Sequence, residues 1–269
     1  MCATCGCGDY AGTRVTALHD HHHPPDQTPG QHVHDHEHPH DHEPPHTHPP
    51  ISAAAGTRTI ELEHQVLAKN DLLAARNRDW LDGRRICALN MMSSPGSGKT
   101  SLLVRTIRKL RDHREVAVIE GDQETLLDAE RIRETGARVV QINTGAGCHL
   151  DAEMLARGLR MLDPTAGSLL FVENVGNLVC PALFDLGETA KVVVISVTEG
   201  NDKPLKYPHM FAAADVVVIN KTDLLPYVDF DIDVCAARAR MVNRDLEVLP
   251  LSVTSGAGLD GWYAWLGGI

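Results

Sequence analysis

Ile86-Cys87-Ala88-Leu89-Asn90-Met91-Met92 runs directly into Ser93-Ser94-Pro95-Gly96-Ser97-Gly98-Lys99-Thr100, and Ser101–Leu110 continues with a helical pattern. An apolar strand, a glycine-bearing turn and a helix start in that order form a phosphate-binding loop. Gly96 and Gly98 let the backbone curl until its N–H groups face an anion, and the helix N-terminus adds its dipole. Lys99 is expected to reach the β- and γ-phosphates of a nucleotide and Thr100 to hold Mg²⁺, with Gly96, Ser97, Gly98 and Ser101 completing the phosphate contacts. The strict pattern wants glycine at position 93, where this chain has serine.

Downstream, short Val/Ile-rich runs alternate with helical stretches. Strands are expected at Val116–Glu120, Arg138–Ile142, Leu169–Glu173, Val192–Val197, Val216–Asn220 and Glu247–Ser252. Continuous apolar strands separated by helices imply a mostly parallel sheet covered on both faces. The expected fold is a three-layer α/β P-loop NTPase domain over residues 85–269.

Two acidic strand ends follow the loop, Glu120-Gly121-Asp122 and Glu173-Asn174-Val175-Gly176. Carboxylates at the carboxyl ends of parallel strands point into the ligand crevice. Asp122 and Glu173 are therefore expected to hold the Mg²⁺ shell or position the attacking water, with capping of the next helix as the other role open to Asp122. Asn220-Lys221-Thr222-Asp223 directly follows an apolar strand about 120 residues after the loop. A carboxylate at Asp223 can accept hydrogen bonds from guanine N1–H and its exocyclic amine, and adenine would leave it unpaired. Asn220, Lys221 and Asp223, completed by Ser252 in Ser252-Val253-Thr254-Ser255-Gly256, thus point to GTP.

The 269 residues carry a formal net charge of −11 without a Lys/Arg-rich run, which disfavours nucleic acid and anionic membranes as partners. No apolar run approaches the ~20 residues that span a bilayer, and the N-terminus lacks the order of a signal peptide, so a cytoplasmic location is expected. Twelve of the 16 histidines fall between His19 and His48, among Pro, Asp and Glu. With almost no large apolar side chains, residues 1–55 are expected to form a disordered Cys/His-rich metal-binding tail. A helix is expected over 56–84, with Leu62, Val66, Leu73 and Trp80 at near-heptad spacing and Gly83 ending it.

Seven cysteines make a disulfide framework a poor explanation in a chain of this kind. Cys87 and Cys235 read as small buried hydrophobes. Cys2, Cys5 and Cys7 place three thiols within six residues, a soft-donor set for Ni²⁺, Zn²⁺ or Cu(I). Cys148 and His149, at an expected helix start, and Cys180, just past Glu173–Gly176, fall at strand ends near the nucleotide. These three N/S donors are one short of tetrahedral, so a fourth position stays open or a second subunit shares ligands. Cys180 also lies four residues after Gly176, in the segment that would sense a γ-phosphate. A loop that moves on hydrolysis could therefore change the metal geometry.

The Cys-x-x-Cys-Gly-Cys start, the His-rich insert, Ser-Pro-Gly-Ser-Gly-Lys-Thr, Glu-Gly-Asp, Gly-Cys-His-Leu-Asp, Glu-Asn-Val-Gly-Asn-Leu-Val-Cys-Pro and Asn-Lys-Thr-Asp together resemble HypB, the hydrogenase maturation GTPase family. The resemblance implies a GTP-dependent homodimer that delivers nickel to the large subunit of [NiFe] hydrogenase with a nickel-binding accessory protein. It also implies a tight nickel site at Cys2, Cys5 and Cys7 and a weaker Zn²⁺ or Ni²⁺ site at Cys148, His149 and Cys180. Asn177 stands where many small GTPases carry a water-positioning Gln, so slow intrinsic turnover is expected. Lys203 matches a family segment near the dimer interface, and the sequence assigns it no role. Three alternatives remain: a nickel store with a regulatory GTPase domain, a urease-type nickel accessory GTPase, and a GTPase loading a cobalamin enzyme. The urease type places Pro between its Cys and His, which are adjacent here, and the cobalamin reading leaves the Cys and His content unexplained.

Overall fold

The computed structural model describes residues 14–17, 53–122, 127–145 and 147–269. Cys2, Cys5, Cys7 and the His-rich stretch lie outside the described residues. Among the described residues, seven parallel strands and one antiparallel edge strand form a single sheet, with helices on both faces.

The strands are β1 (Arg14–Ala17), β2 (Cys87–Ser93), β3 (Val116–Asp122), β4 (Arg138–Asn143), β5 (Leu169–Glu173), β6 (Ala190–Ser196), β7 (Val216–Asn220) and β8 (Glu247–Pro250). They lie in the order β1-β4-β3-β5-β2-β6-β7-β8. The chain leaves the central β2, runs out to β4, returns through β5 and then builds outward through β6 to β8. The strand carrying the phosphate loop is thus flanked by β5 and β6, and all seven residues of β2 are buried. Burial on both faces explains why the strands read as near-continuous apolar runs.

The helices are α1 (Ala53–Gly83), α2 (Lys99–Leu110), α3 (Leu127–Arg133), α4 (Ala152–Leu162), α5 (Lys203–Lys206), α6 (Pro208–Ala213), α7 (Ile232–Val242) and α8 (Leu259–Gly267). Alternate residues of β2 feed opposite layers, as the two-residue period of a strand requires. Leu89 and Met91 pack with Leu103 and Ile107 of α2, Ile132 of α3 and Trp262 of α8. Ala88 packs with Leu81 of α1 and Leu155 of α4, and Met92 with Phe211 of α6 and Cys235 of α7. Trp262 Nε1 also donates to Thr106 Oγ1 at 2.9 Å, so the largest buried ring keeps its polar edge satisfied.

Two expectations change. Arg14–Ala17, assigned from sequence to the tail, pairs antiparallel with β4 as an edge strand. Four residues with Val15 and Thr16 suffice for a short edge strand, a signal hidden by the histidines beyond it. The buried stripe of α1 is also not the one expected. Val66 is exposed and Leu73 and Trp80 are half-buried, whereas Asn70, Ala74, Asn77 and Leu81 face the domain. That stripe keeps heptad spacing, but two of its members are amides, so a purely apolar reading misses it.

Candidate functional site

At the carboxyl ends of β2, β3 and β5 a cavity of about 510 Å³ is lined by the loop from Ser93 to Ser101, Glu120, Asp122, Glu173 and Asn174, with Lys221 at its rim. Ser93 and Ser94 are buried, and Gly98 caps α2 in the left-handed region at φ 96°. A side chain at Gly98 would collide with the Asn220 amide, so glycine is required for close approach as well as for conformation. Serine at position 93 ends β2 in ordinary strand pairing with Val194, which explains why glycine is dispensable there.

The functional groups converge around Glu173. Thr100 Oγ1 donates to Glu173 Oε1 at 2.6 Å, and Lys99 Nζ lies 3.8 Å from the same oxygen while donating to the carbonyl oxygen of Asn174. Strand register sets Glu120 directly beside Glu173, with Asp122 one step further along the same face of β3. Glu120 is thus the residue the sequence reading passed over. The signal was available, because residues 120 and 122 are two apart on one strand and must share a face. Burial pushes the Glu120 carboxyl up to about 9, reinforced by Glu173 and Asp122. Burial likewise pushes Glu173 up, against the pull of Lys99 and the Thr100 hydrogen bond.

Glu120 Oε2 and Glu173 Oε2 are buried without a hydrogen-bond partner among the described residues, as are the hydroxyls of Ser94 and Ser97. Orphaned buried oxygens are costly unless a ligand completes them. The carboxylates and the Thr100 hydroxyl suit a hard divalent cation such as Mg²⁺. The serine hydroxyls, the α2 N-terminus and Lys99 suit phosphate.

The residues expected to face a base also meet the loop. Asn220 Nδ2 donates to Ser97 O at 2.8 Å and its Oδ1 accepts from Val253 N at 3.2 Å. Lys221, in the left-handed region at φ 62°, turns back to donate from Nζ to Gly96 O at 2.7 Å. Ser252 Oγ donates to Asp223 Oδ1 at 2.5 Å and accepts from Ser255 N at 3.0 Å, holding an otherwise exposed carboxylate in one orientation.

A second cluster lies on the adjoining loops. The donor atoms of Cys148, His149 and Cys180 all fall within 4.8 Å of one another. The two sulfurs are 2.7 Å apart with no disulfide between them, and Cys148 Sγ is 3.6 Å from His149 Nδ1. Cys148 and His149 precede α4 in a turn rather than opening the helix, whose N-cap is Asp151. His149 is buried against the Phe184 ring, centroids 3.9 Å apart, and burial holds its imidazole below the usual histidine range. A neutral imidazole with two thiols is a donor set for borderline-soft cations. Asn177 Nδ2 donates to Cys180 Sγ at 3.6 Å, within sulfur hydrogen-bond range. Lys203 pairs with Glu199 at 3.3 Å and lies over the Tyr207 ring.

The two clusters share the segment that leaves β5. The Asn174 carbonyl takes Lys99, and the Asn174 side chain accepts from Leu150 N at 3.0 Å, one residue beyond His149. Its Nδ2 donates to Asn90 Oδ1 at 3.2 Å, which fixes the amide's orientation.

Comparison with known proteins gives the family. The family described as CobW/HypB/UreG, nucleotide-binding domain, matches residues 88–250. The hydrogenase maturation factor HypB of Rhizobium leguminosarum bv. viciae is 60% identical over 209 residues, covering 78% of this chain and 70% of that protein. The HypB of Escherichia coli K12 is 48% identical over 290 residues, covering 99% and 98%. The crystal structure of HypB from Helicobacter pylori in complex with nickel superposes with a TM-score of 0.70 at 36% identity, covering 74% of this chain and 93% of that one. No helix among the described residues is long and apolar enough to cross a membrane. With identity sustained from end to end of a full-length relative, and a P-loop site built on the expected strand ends, the chain belongs to the HypB family of hydrogenase maturation factors.

Proposed function

We propose that the chain hydrolyses GTP to GDP and phosphate and uses the cycle to hold and release nickel destined for the large subunit of [NiFe] hydrogenase. The observation that carries this reading is the shared segment. Asn174, whose carbonyl accepts from the phosphate-loop lysine, begins the run that ends in Cys180, one of the three clustered donors. A γ-phosphate that draws Lys99 away from Asn174 would change the hydrogen bonding of that run, and with it the position of one thiolate.

Guanine is the expected base because the Asp223 carboxylate, held at Oδ1 by the Ser252 hydroxyl, keeps acceptor capacity for guanine N1–H and its exocyclic amine. Mg²⁺ would be held by Thr100 with Asp122, Glu173 and Glu120, where it would neutralise charge on the phosphates. Glu173 and Asp122 would also hold the attacking water. Asn177 in place of a water-orienting Gln fits slow intrinsic turnover.

Ni²⁺ is the cargo at Cys148, His149 and Cys180, and Zn²⁺ fits the same donors. Three ligands leave room for a fourth from a second copy, in keeping with a GTP-dependent homodimer. The cluster at Cys2, Cys5 and Cys7 would supply a separate, tighter nickel store. A nickel-binding accessory protein and the hydrogenase large subunit are the expected partners, in the cytoplasm. The nickel-bound HypB of Helicobacter pylori supports the metal assignment.

The test is nickel binding by the full chain with GDP and with a non-hydrolysable GTP analogue. Cys2, Cys5 and Cys7 are replaced by serine so that the domain cluster is read. A difference of about 5- to 150-fold that disappears in Cys180→Ala is the expected result. Equal affinity in both nucleotide states would move the passive-store reading ahead.

A further inference from the structure

The two loops that carry the clustered donors belong to different parts of the sheet, and α1 lies against both. Ala152, three residues past His149, gives its N–H to Asn70 Oδ1 at 2.9 Å and its carbonyl to Asn77 Nδ2 at 2.8 Å. Asp185, just past the Phe184 ring stacked on His149, gives its carbonyl to Asn70 Nδ2 at 2.8 Å. Leu186 gives its carbonyl to Asn77 Nδ2 at 3.0 Å. Each amide therefore spans from the start of α4, just past Cys148 and His149, to the stretch that follows Cys180–Leu183.

Both amides are 5% exposed and sit at the helical spacing that puts them on one face. Burying two asparagines is unfavourable unless their donors and acceptors are used, and here they are used on main chain, which cannot be replaced by a neighbouring rotamer. Ala152 also begins α4, whose first N–H groups need acceptors from outside the helix. Arg78, one residue beyond Asn77, donates to both carboxylate oxygens of Asp185 at 2.8 Å, a two-pronged hold on the Cys180 side alone. The loop backbone at Gly187 lies so close to α1 that an added Cβ would come within 2.8 Å of Arg78 N.

We propose that Asn70 and Asn77 are positioning residues for the Cys148–His149–Cys180 site, so that α1 acts as a clamp fixing the separation of its two ligand loops. The inference rests on the metal reading of that cluster, and goes beyond it by assigning part of the site's geometry to a helix that contributes no ligand. Partners hydrogen-bonded directly to metal ligands commonly change affinity about 10- to 100-fold when removed, and two amides acting one step further back through main chain are expected at the lower end of that range.

The test uses the full chain with Cys2, Cys5 and Cys7 replaced by serine, GDP present, and Co²⁺ as the probe. Thiolate-to-cobalt charge transfer then reports only on cysteines of the domain and is silent for histidines of the N-terminal stretch. In this parent, Cys180→Ala should abolish the band. Asn70→Asp keeps the shape and one acceptor but loses the donor to Asp185, and Asn70→Ala loses both bonds. Each should weaken Co²⁺ at least ~10-fold and alter the band, with GDP affinity unchanged as the measure of folding. Thr106→Val, which removes the hydroxyl that accepts from Trp262 on the far layer, should lower the melting temperature and leave Co²⁺ binding as in the parent. Asn70 variants that bind Co²⁺ like the parent while Cys180→Ala abolishes the band would overturn the clamp alone. A parent without charge transfer would overturn the ligand reading beneath it.

Discussion

Lys99 and Asn174 meet where β2 and β5 end: the lysine ammonium donates to the Asn174 carbonyl oxygen and sits 3.8 Å from Glu173 Oε1. On the proposed function, a phosphate entering the loop would compete for that ammonium. The same lysine would then have two sets of partners, one supplied by the protein and one by the ligand.

Removing it should be felt first in binding. Lys99→Ala loses a charge-assisted contact of about 2 kcal/mol, or roughly 30-fold in nucleotide affinity. Calorimetric titration of GDP and of a GTP analogue checks this, with the analogue expected to lose more because it offers a γ-phosphate. Unchanged affinity for both would remove Lys99 from the phosphate contacts.

The paired carboxylates predict a pH dependence of stability. Folded Glu120 keeps its proton to about 9, while an unfolded chain releases it near the ordinary 4.5. Between those values unfolding releases a proton, so stability falls as pH rises, and Glu173 acts in the same direction. Glu120→Gln should raise stability at the alkaline end and flatten the slope, with a ceiling of about 6 kcal/mol. Urea melts without nucleotide or divalent cation provide the measurement, and a slope equal to the parent's would rule out the buried proton.

The sheet and the nucleotide loop were legible because β2, β3, β5, β6 and β7 are buried on both faces and so spell near-continuous apolar runs. The Glu120–Glu173 pairing was not, since it depends on β5 inserting between β2 and β3, and strand order leaves no mark in a single chain. The cluster of Cys148, His149 and Cys180 could be guessed from residue type, because all three fall just after strands that end at one crevice. Asn70 and Asn77 were invisible for the opposite reason. A buried amide looks like a surface residue until the main chain it serves is known.

The close approach of α1 to the Cys180 loop predicts a strong effect from one methyl group. Gly187 has φ 89°, and a Cβ there would strike the Ala74 carbonyl. Gly187→Ala should destabilise the fold by about 2 kcal/mol or more through backbone strain and lost packing. Thermal melts would show it, and a change within 0.5 kcal/mol (about the range of ordinary surface substitutions) would mean that α1 can yield there.

Base selection should reside in one carboxylate. Asp223→Ala removes the acceptor pair that Ser252 orients, and GTP should lose about 100-fold against its parent affinity while ATP changes little. Competition between the two triphosphates for the purified protein measures the ratio. A retained preference for GTP would place base recognition elsewhere in the pocket.

Asn174 carries the last prediction, because it is bonded both to the phosphate-loop lysine and to the residue beside His149. Its carbonyl takes Lys99, its Oδ1 takes Leu150 N beside His149, and its Nδ2 is fixed by Asn90, which in turn donates to Glu188 at 3.0 Å. If the nucleotide shifts the thiolate cluster through this residue, Asn174→Ala should cut the wire without removing a metal ligand or a phosphate contact made by a side chain. Some stability will go with it, about 1–3 kcal/mol for the buried Leu150 N–H left without an acceptor. That loss alone would weaken nickel binding equally in both nucleotide states. Coupling behaves differently, as the ratio of nickel affinities with GDP and with a GTP analogue should fall toward one while each nucleotide still binds. A ratio that matches the parent's would show that the Asn174 side chain's bond to Leu150 N is a local hold and that any coupling runs through the main chain of the 174–180 segment, whose carbonyl at 174 still takes Lys99 in the variant.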